Sequence, residues 1–198
     1  MYWTFFPQDQ NNESTNMTYM VGTFRALVDT IIPRTPRLAQ EYGLIQYYGA
    51  LDADIDQFLI LSLQNLQYPL AVYTMELLDL AAKLTYSEGY EGISQSDEIT
   101  FSNIPPEKRL QALELLLVAP IFPANYPRVF MDNPDWVLNI YGALNKSTMF
   151  GYYSEWYGYG NTRLLPPEQR QLEFYPFSWE QINYPGPSLG YHALRNNG

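Results

Sequence analysis

Three aspartates at alternating positions, Asp52, Asp54 and Asp56, are the arrangement in this sequence that comes nearest to a metal site. Calcium loops of the EF-hand type begin with acids at this spacing, because their carboxylate oxygens coordinate the ion. Such a loop also needs a glycine at its sharp turn and a bidentate glutamate at its end, but Gln57 and Leu63 occupy those positions. We therefore expect the acids to mark the start of a helix, where the helix dipole favours negative charge.

The other residue types that carry chemistry are isolated from one another. Gly158 and Gly160 resemble part of a dinucleotide-binding loop, but the third glycine is missing and no strand is predicted before them. His192 is the only histidine, which gives little support to a catalytic triad and none to a multi-histidine metal site. Glu155 and Glu168 are a carboxylate pair of the kind that glycosidases use, but two acids in an acidic chain are weak evidence. The sequence predicts no catalytic residue, no cofactor-binding residue and no metal ligand in this chain.

Amino-acid composition narrows the kinds of site and the classes of partner that we expect for this chain. The 198 residues include no cysteine, which excludes disulfides, iron–sulfur clusters and thiolate zinc sites. The net charge is −10, and residues 41–107 contain eleven acids against Lys83 alone. Such a field repels nucleic acid and anionic lipid, so we expect neither as a partner. We also expect no membrane span, since the longest apolar stretches, such as residues 115–123, are too short.

The elements that must position these residues are predicted to be helices. Thr18 is the expected N-cap of the first helix, and Pro33 is its expected stop. Leu110, Leu113 and Leu117 make the fourth helix nearly all apolar, which places it at the centre of a bundle. Apolar residues recur at helical spacing in five runs, at about 18–32, 50–66, 70–86, 106–119 and 135–150.

These runs predict an all-α fold, an irregular helical bundle with a long irregular C-terminal segment. Residues 1–17 are polar and are expected to be a flexible N-terminal segment, followed by a helical domain over residues 18–149. Residues 150–198 are dense in Tyr, Trp, Pro and Gly and show no sustained period. A segment this aromatic is too apolar for ordinary disorder, so we expect it to pack on the helical body or on a partner.

Two pairs of motifs, taken together, resemble the gluconate 2-dehydrogenase subunit 3 (gamma subunit) family. The first pair is Phe24-Arg-Ala-Leu-Val-Asp-Thr-Ile-Ile-Pro33-Arg-Thr35-Pro, followed by Gly49-Ala50-Leu-Asp52-Ala-Asp54-Ile-Asp56-Gln-Phe58. The second pair is Tyr157-Gly158-Tyr-Gly160-Asn161, followed by Trp179-Glu-Gln-Ile-Asn-Tyr184-Pro185-Gly186-Pro187. In this order, with helices between them, the motifs cover most of residues 20–190.

The resemblance implies a small helical subunit bound to a large flavoprotein of the glucose–methanol–choline (GMC) oxidoreductase type. That partner carries the FAD and oxidises a sugar, sugar acid or glycoside, in some complexes passing electrons to a cytochrome c subunit. The small subunit assists the stability, maturation or export of the large one. No twin-arginine leader is visible at the N-terminus, so we expect a periplasmic or other extracytoplasmic location if the chain is a processed mature form, and a cytoplasmic one otherwise.

The residues of these motifs have separate expected roles. Pro33, Gly49 and Asp52 suit a helix stop, a turn and a helix-start acid, and Thr35 and Ala50 complete that motif pair. Tyr157, Trp179 and Tyr184 lie among Pro and Gly residues and are of the type that anchors protein interfaces. Whether they contact a partner or only this chain stays open. A second function also stays open, a stand-alone structural or carbohydrate-binding protein that stacks sugars on its aromatic rings.

Overall fold

The computed structural model describes residues 10–66, 68–87, 98–117, 126–131 and 135–186. The prediction of an all-α fold is confirmed for these residues, among which there is no strand. Their eight α-helices are α1 Gln10–Ile31, α2 Pro36–Tyr42, α3 Ile55–Gln64, α4 Leu70–Ser87, α5 Pro106–Leu115, α6 Arg128–Met131, α7 Asp135–Tyr153 and α8 Phe177–Gln181. Short 3-10 helices cover Leu44–Tyr47, Ala50–Ala53, Tyr157–Thr162 and Pro167–Gln169.

Helix α1 is the central element, because it contacts α3, α4, α5 and α7. Phe24, Leu27 and Val28 form its fully buried face, at the spacing that places side chains on one side of a helix. The core is completed by residues from the surrounding elements, among them Ile55, Leu59, Leu77, Leu78, Phe101, Ile104, Phe130, Val137 and Leu144.

The prediction that the fourth helical run lies at the centre is wrong. Leu113 of α5 is buried, but Leu110 is 50% and Leu117 is 47% exposed. Helix α5 is largely polar, with Glu107, Lys108, Gln111 and Glu114, so only the face with Ala112 and Leu113 packs, and the helix lies against α4 and α1 at the side of the bundle.

The first helix begins at Gln10, so residues 10–17 are helical where the sequence predicted a flexible segment. Thr18 lies inside α1 and is not its N-cap. No proline or glycine occurs between Gln10 and Val21, so nothing in that stretch breaks the helix on its N-terminal side. The predicted stop is confirmed, since α1 ends at Ile31, two residues before Pro33.

Two further helices agree closely with the predicted runs, whereas the run predicted at about 50–66 is divided into a 3-10 helix at Ala50–Ala53 and α3 at Ile55–Gln64. Helix α4 covers Leu70–Ser87, and α7 begins at Asp135 and ends three residues beyond Phe150, at Tyr153. The end of the fourth predicted run, at residues 118–119, lies outside the described residues. None of the helices in the described ranges has the length and apolar character needed to cross a membrane.

Candidate partner-binding site

The two motifs of the first pair meet just after α1, where the turn at Gly49 packs against the backbone of residues 32–34. The backbone N–H of Ala50 donates to Ile32 O over 2.9 Å, and Gly49 N–H donates to the Asp52 carboxylate over 2.8 Å. A Cβ on Gly49 would lie 2.7 Å from the backbone nitrogen of Arg34, so only glycine fits. Asp52 therefore caps the 3-10 helix that follows, which is the helix-start role expected for it.

The segment between Pro33 and Gly49 is held to the same turn. Thr35 donates from both its N–H and its hydroxyl to Gln46 O, over 3.0 and 2.9 Å. The Arg34 guanidinium lies 4.4 Å from the centre of the Tyr47 ring, a cation–π contact. Pro33 itself is exposed, while Ala50 is fully buried.

The three alternating aspartates do not converge on one point. Asp52 caps Gly49, Asp54 pairs with Arg163, and Asp56 is 2% exposed with Arg25 as its ion-pair partner at 3.8 Å. Burial raises the pKa of the Asp56 carboxyl, and the charge of Arg25 partly opposes that rise. Within the described ranges, no group of three or more His, Cys, Asp or Glu residues is arranged to hold a metal ion.

The C-terminal segment, here residues 150–186, is tied to this turn by contacts between residues more than a hundred positions apart. The Tyr152 hydroxyl donates to Tyr48 O over 2.9 Å, and the Trp156 indole N–H donates to Asp54 O over 3.0 Å. Arg163 pairs with the Asp54 carboxylate. The first two contacts use the polar groups of aromatic side chains whose rings are buried. We call Tyr152, Trp156, Arg163 and Trp179 the inner face of the segment.

The Tyr157–Asn161 motif is a close packing contact within the segment. Gly158 O accepts the N–H of Glu173 over 2.8 Å, and a Cβ on Gly158 would lie 2.5 Å from Phe174 O. Gly160 has a φ of +48°, and the backbone N–H of Asn161 donates to the Glu173 carboxylate over 3.3 Å. The glycines thus let residues 158–160 approach residues 173–174 closely, and Asn161 itself is exposed.

The Tyr157 ring packs inward, 5.1 Å from Phe174 and 4.8 Å from Phe177 between ring centres. It is half-buried, and both of these neighbours lie in the same segment. Tyr157 therefore helps to hold the segment together.

The second C-terminal motif surrounds α8. Trp179 is 3% exposed, and its indole N–H donates to Tyr153 O over 2.9 Å. The backbone N–H of Tyr184 donates to Trp179 O, and the two rings meet edge to face with centres 4.9 Å apart. Gly186 has a φ of +93° and is buried beside the Tyr175 ring, whereas Pro185 is exposed.

Beside this motif lies an open groove of about 380 Å³. Much of its wall is exposed apolar surface, with Phe150 67%, Ile182 52% and Tyr184 43% exposed. The groove is lined by Phe150, Tyr153, Ser154, Glu155, Trp179, Ile182 and Tyr184, and we call this lining without the buried Trp179 the outer face of the segment. Exposed apolar side chains that are grouped in this way are typical of protein-binding surfaces.

Glu155 is the only charged residue of that lining. Its carboxylate accepts the Tyr159 hydroxyl over 2.7 Å, and this hydrogen bond is the main reason that the pKa of Tyr159 is raised, with burial second. Tyr159 belongs to the same turn as Gly158 and Gly160. Because its hydroxyl is bonded to Glu155, this turn fixes the position of the Glu155 carboxylate.

A second groove lies on the other side of α8. It has a volume of about 470 Å³, and its walls include Tyr42, Leu44, Phe177 and Glu180. Tyr42 is 63% and Leu44 is 74% exposed. Exposed apolar surface therefore flanks α8 on both sides.

Sequence reasoning named Trp179 and Tyr184 but missed several residues of both faces. Tyr152, Trp156 and Arg163 tie the segment to the body, and Phe150, Tyr153 and Ile182 line the groove. The density of aromatic residues at 150–159 was the available signal, but it does not tell which rings face inward. His192 lies outside the described residues.

Comparison with protein-family models finds no match to this chain, and comparisons with curated proteins and with solved structures find none either.

Proposed function

We propose that this chain is a non-catalytic small subunit of a flavin-dependent GMC-type dehydrogenase. The large subunit carries the FAD and oxidises a sugar, sugar acid or glycoside, and a cytochrome c subunit serves as electron acceptor in some complexes of this kind. This chain assists the stability, maturation or export of the large subunit. The observation that carries the proposal is the outer face, a group of exposed aromatic and aliphatic side chains on a firmly attached segment.

The arrangement of the motifs supports the same proposal. The turn at Gly49 and the C-terminal segment are the two parts of the chain that resemble the gamma-subunit family. They are joined by hydrogen bonds from Tyr152 and Trp156 and by the Arg163–Asp54 pair. A preorganised surface binds with a smaller entropy cost than a mobile one, which suits a subunit that stabilises a larger partner.

The proposal is tested by co-expressing this chain with any large FAD-carrying oxidoreductase whose gene neighbours the gene of this chain. We expect the two chains to co-elute, the flavin absorbance to stay with the large chain after separation, and the soluble yield of the large chain to rise. The Trp136→Ala variant, altered at an exposed residue outside the grooves, is a suitable control for expression. The proposal would be refuted if this chain alone bound flavin, or if the two chains did not associate on co-expression.

The second candidate is a stand-alone carbohydrate-binding protein. It is favoured by the groove, where the rings of Tyr153 and Tyr184 adjoin the polar side chains of Ser154 and Glu155. Calorimetric titration with simple sugars separates the two candidates. Saturable sugar binding by the isolated chain, with no protein partner recovered, would favour the second.

A further inference from the structure

The groove beside α8 combines ring surface with a single negative charge. The Tyr184 ring is 43% exposed and lies edge to face with the buried Trp179 ring, at an interplanar angle of 87°. Tyr153 and Phe150 continue the aromatic wall, and Glu155 lies at the same groove. The Trp179 N–H is already bonded to Tyr153 O, so the indole presents no free donor to a ligand.

Glu155 has no cationic partner among the described residues, whose ion pairs are Arg25–Asp56, Lys83–Glu98 and Arg163–Asp54. Arg170 is near enough to Tyr159 to influence its pKa, but the Arg170 Nε donates to Leu165 O, and Arg170 is not part of the lining. The only hydrogen bond described for the carboxylate comes from Tyr159, which is neutral.

We propose that this groove takes an arginine side chain from the partner protein. The guanidinium stacks on the exposed ring of Tyr184 and donates to the Glu155 carboxylate. Arginine fits better than lysine, because its planar guanidinium both stacks on aromatic faces and pairs with a carboxylate in fork geometry. The net charge of −10 also favours a partner with a basic surface. The proposal rests on the proposed function in that it takes the large subunit as the protein that supplies the arginine.

A small probe tests the groove without the partner. The free chain, labelled with ¹⁵N, is titrated with N-acetylarginine amide while the indole N–H signals are followed by NMR. Trp156 and Trp179 are both buried, but Trp179 lines the groove, whereas Trp156, whose N–H is bonded to Asp54 O, lies outside the lining and is the internal reference. We expect a saturable shift of the Trp179 signal at millimolar probe and no saturable shift of the Trp156 signal.

Matched probes and variants separate the contributions. N-acetylcitrulline amide has nearly the same shape without the charge and should shift Trp179 little, and N-acetyllysine amide should bind more weakly than the arginine probe. Glu155→Gln keeps an acceptor for Tyr159 and should weaken arginine binding by about tenfold. Glu180→Gln makes the same change in the other groove and should leave binding unchanged.

Several results would overturn the arginine site. These are equal shifts with the citrulline or lysine probe, no saturable shift at Trp179, or equal losses in Glu155→Gln and Glu180→Gln. If Glu155→Gln changed the oligomeric state of the isolated chain in solution, a second copy of the chain would be filling the groove in the wild type. That result would also contradict the proposal.

The co-expression experiment keeps the two proposals apart. If the flavoprotein co-elutes with wild type and Glu180→Gln but less with Glu155→Gln, both proposals are supported. If it co-elutes equally with all three and the probe does not bind, only the arginine site fails. If the probe binds but no flavoprotein associates, the proposed subunit role fails, and with it the large subunit as the source of the arginine.

Discussion

The inner and outer faces of the C-terminal segment use the same residue types for different ends. On the inner face, Tyr152, Trp156 and Trp179 bury their rings and donate their polar hydrogens to backbone oxygens. On the outer face, Phe150 and Tyr184 leave much of their rings exposed. Aromatic content alone therefore does not mark an interface. An exposed ring such as that of Tyr184, which packs on the buried Trp179, is the kind of ring that is available to a partner.

This comparison predicts that changes on the inner face lower the free energy of unfolding, while changes on the outer face alter binding only. The following variants test that division, beginning with the largest expected effect on stability.

Trp156→Ala should lower the free energy of unfolding by about 3–5 kcal/mol, because it removes a large buried ring and leaves a cavity. The ring also lies edge-on to Phe58, with centres 5.4 Å apart, and supports the Arg163 guanidinium at 6.0 Å. Urea unfolding measures the change. Trp136→Ala, at a residue 41% exposed, should stay within about 0.5 kcal/mol of wild type. Equal losses in the two variants would contradict the division.

Gly49→Ala should lower the free energy of unfolding by about 1–3 kcal/mol, because the added Cβ meets backbone atoms that cannot move independently. Those atoms are Arg34 N at 2.7 Å and Ile32 O at 2.8 Å, in the turn that the inner face is tied to. Gly142→Ala is the control. It lies in α7 with no atom within 4 Å of the added Cβ, so it should raise stability by about 0.5–1 kcal/mol. A stable Gly49→Ala protein would show that the turn is not needed.

Tyr152→Phe should lower the free energy of unfolding at neutral pH by about 0.5–1.5 kcal/mol, because the hydrogen bond to Tyr48 O is lost. Burial raises the pKa of Tyr152 to about 12 from 10.0. The neutral phenol is thus favoured in the folded state, so its contribution is present below pH 10 and is lost as pH rises from 10 to 12, by at most about 1.4 kcal/mol per pH unit.

In alkaline urea titrations, Tyr152→Phe should therefore lose stability less steeply than wild type over that window. Part of the loss will remain, because burial and the Asp79 hydrogen bond also raise the pKa of Tyr19. Tyr153→Phe, at the neighbouring residue that is 37% exposed, is the matched control. Identical curves for wild type and Tyr152→Phe would show that this phenol does not titrate on unfolding.

Glu155→Gln should change the free energy of unfolding by no more than about 0.5 kcal/mol, because a glutamine oxygen can still accept the Tyr159 hydroxyl. Its effect should appear only in arginine-probe binding and in co-elution with the flavoprotein. Thermal unfolding followed by circular dichroism measures the stability. A loss comparable to that of Tyr152→Phe would show that the outer face also maintains the fold.

Sequence reasoning succeeded where a local rule applied. The proline stop after α1, the capping role of Asp52 and the bounds of α4 and α7 each depend on neighbouring residues or on helical period. It failed for the position of α5, because an apolar composition does not tell which face finds a neighbour. It also missed Trp156 and Arg163 as ties to Asp54, since partners 102 and 109 residues away leave no local signal.

The amino-acid sequence alone is enough to establish the helical class, the acidic charge, and the glycine and proline positions at the turns. Which aromatic rings of residues 150–186 are covered depends on tertiary contacts, because most of this segment lies outside α7 and α8 and has no regular period to assign a face. Its side chains are divided by which backbone oxygens, such as those of Tyr48, Asp54 and Tyr153, come within reach of a tyrosine hydroxyl or a tryptophan N–H.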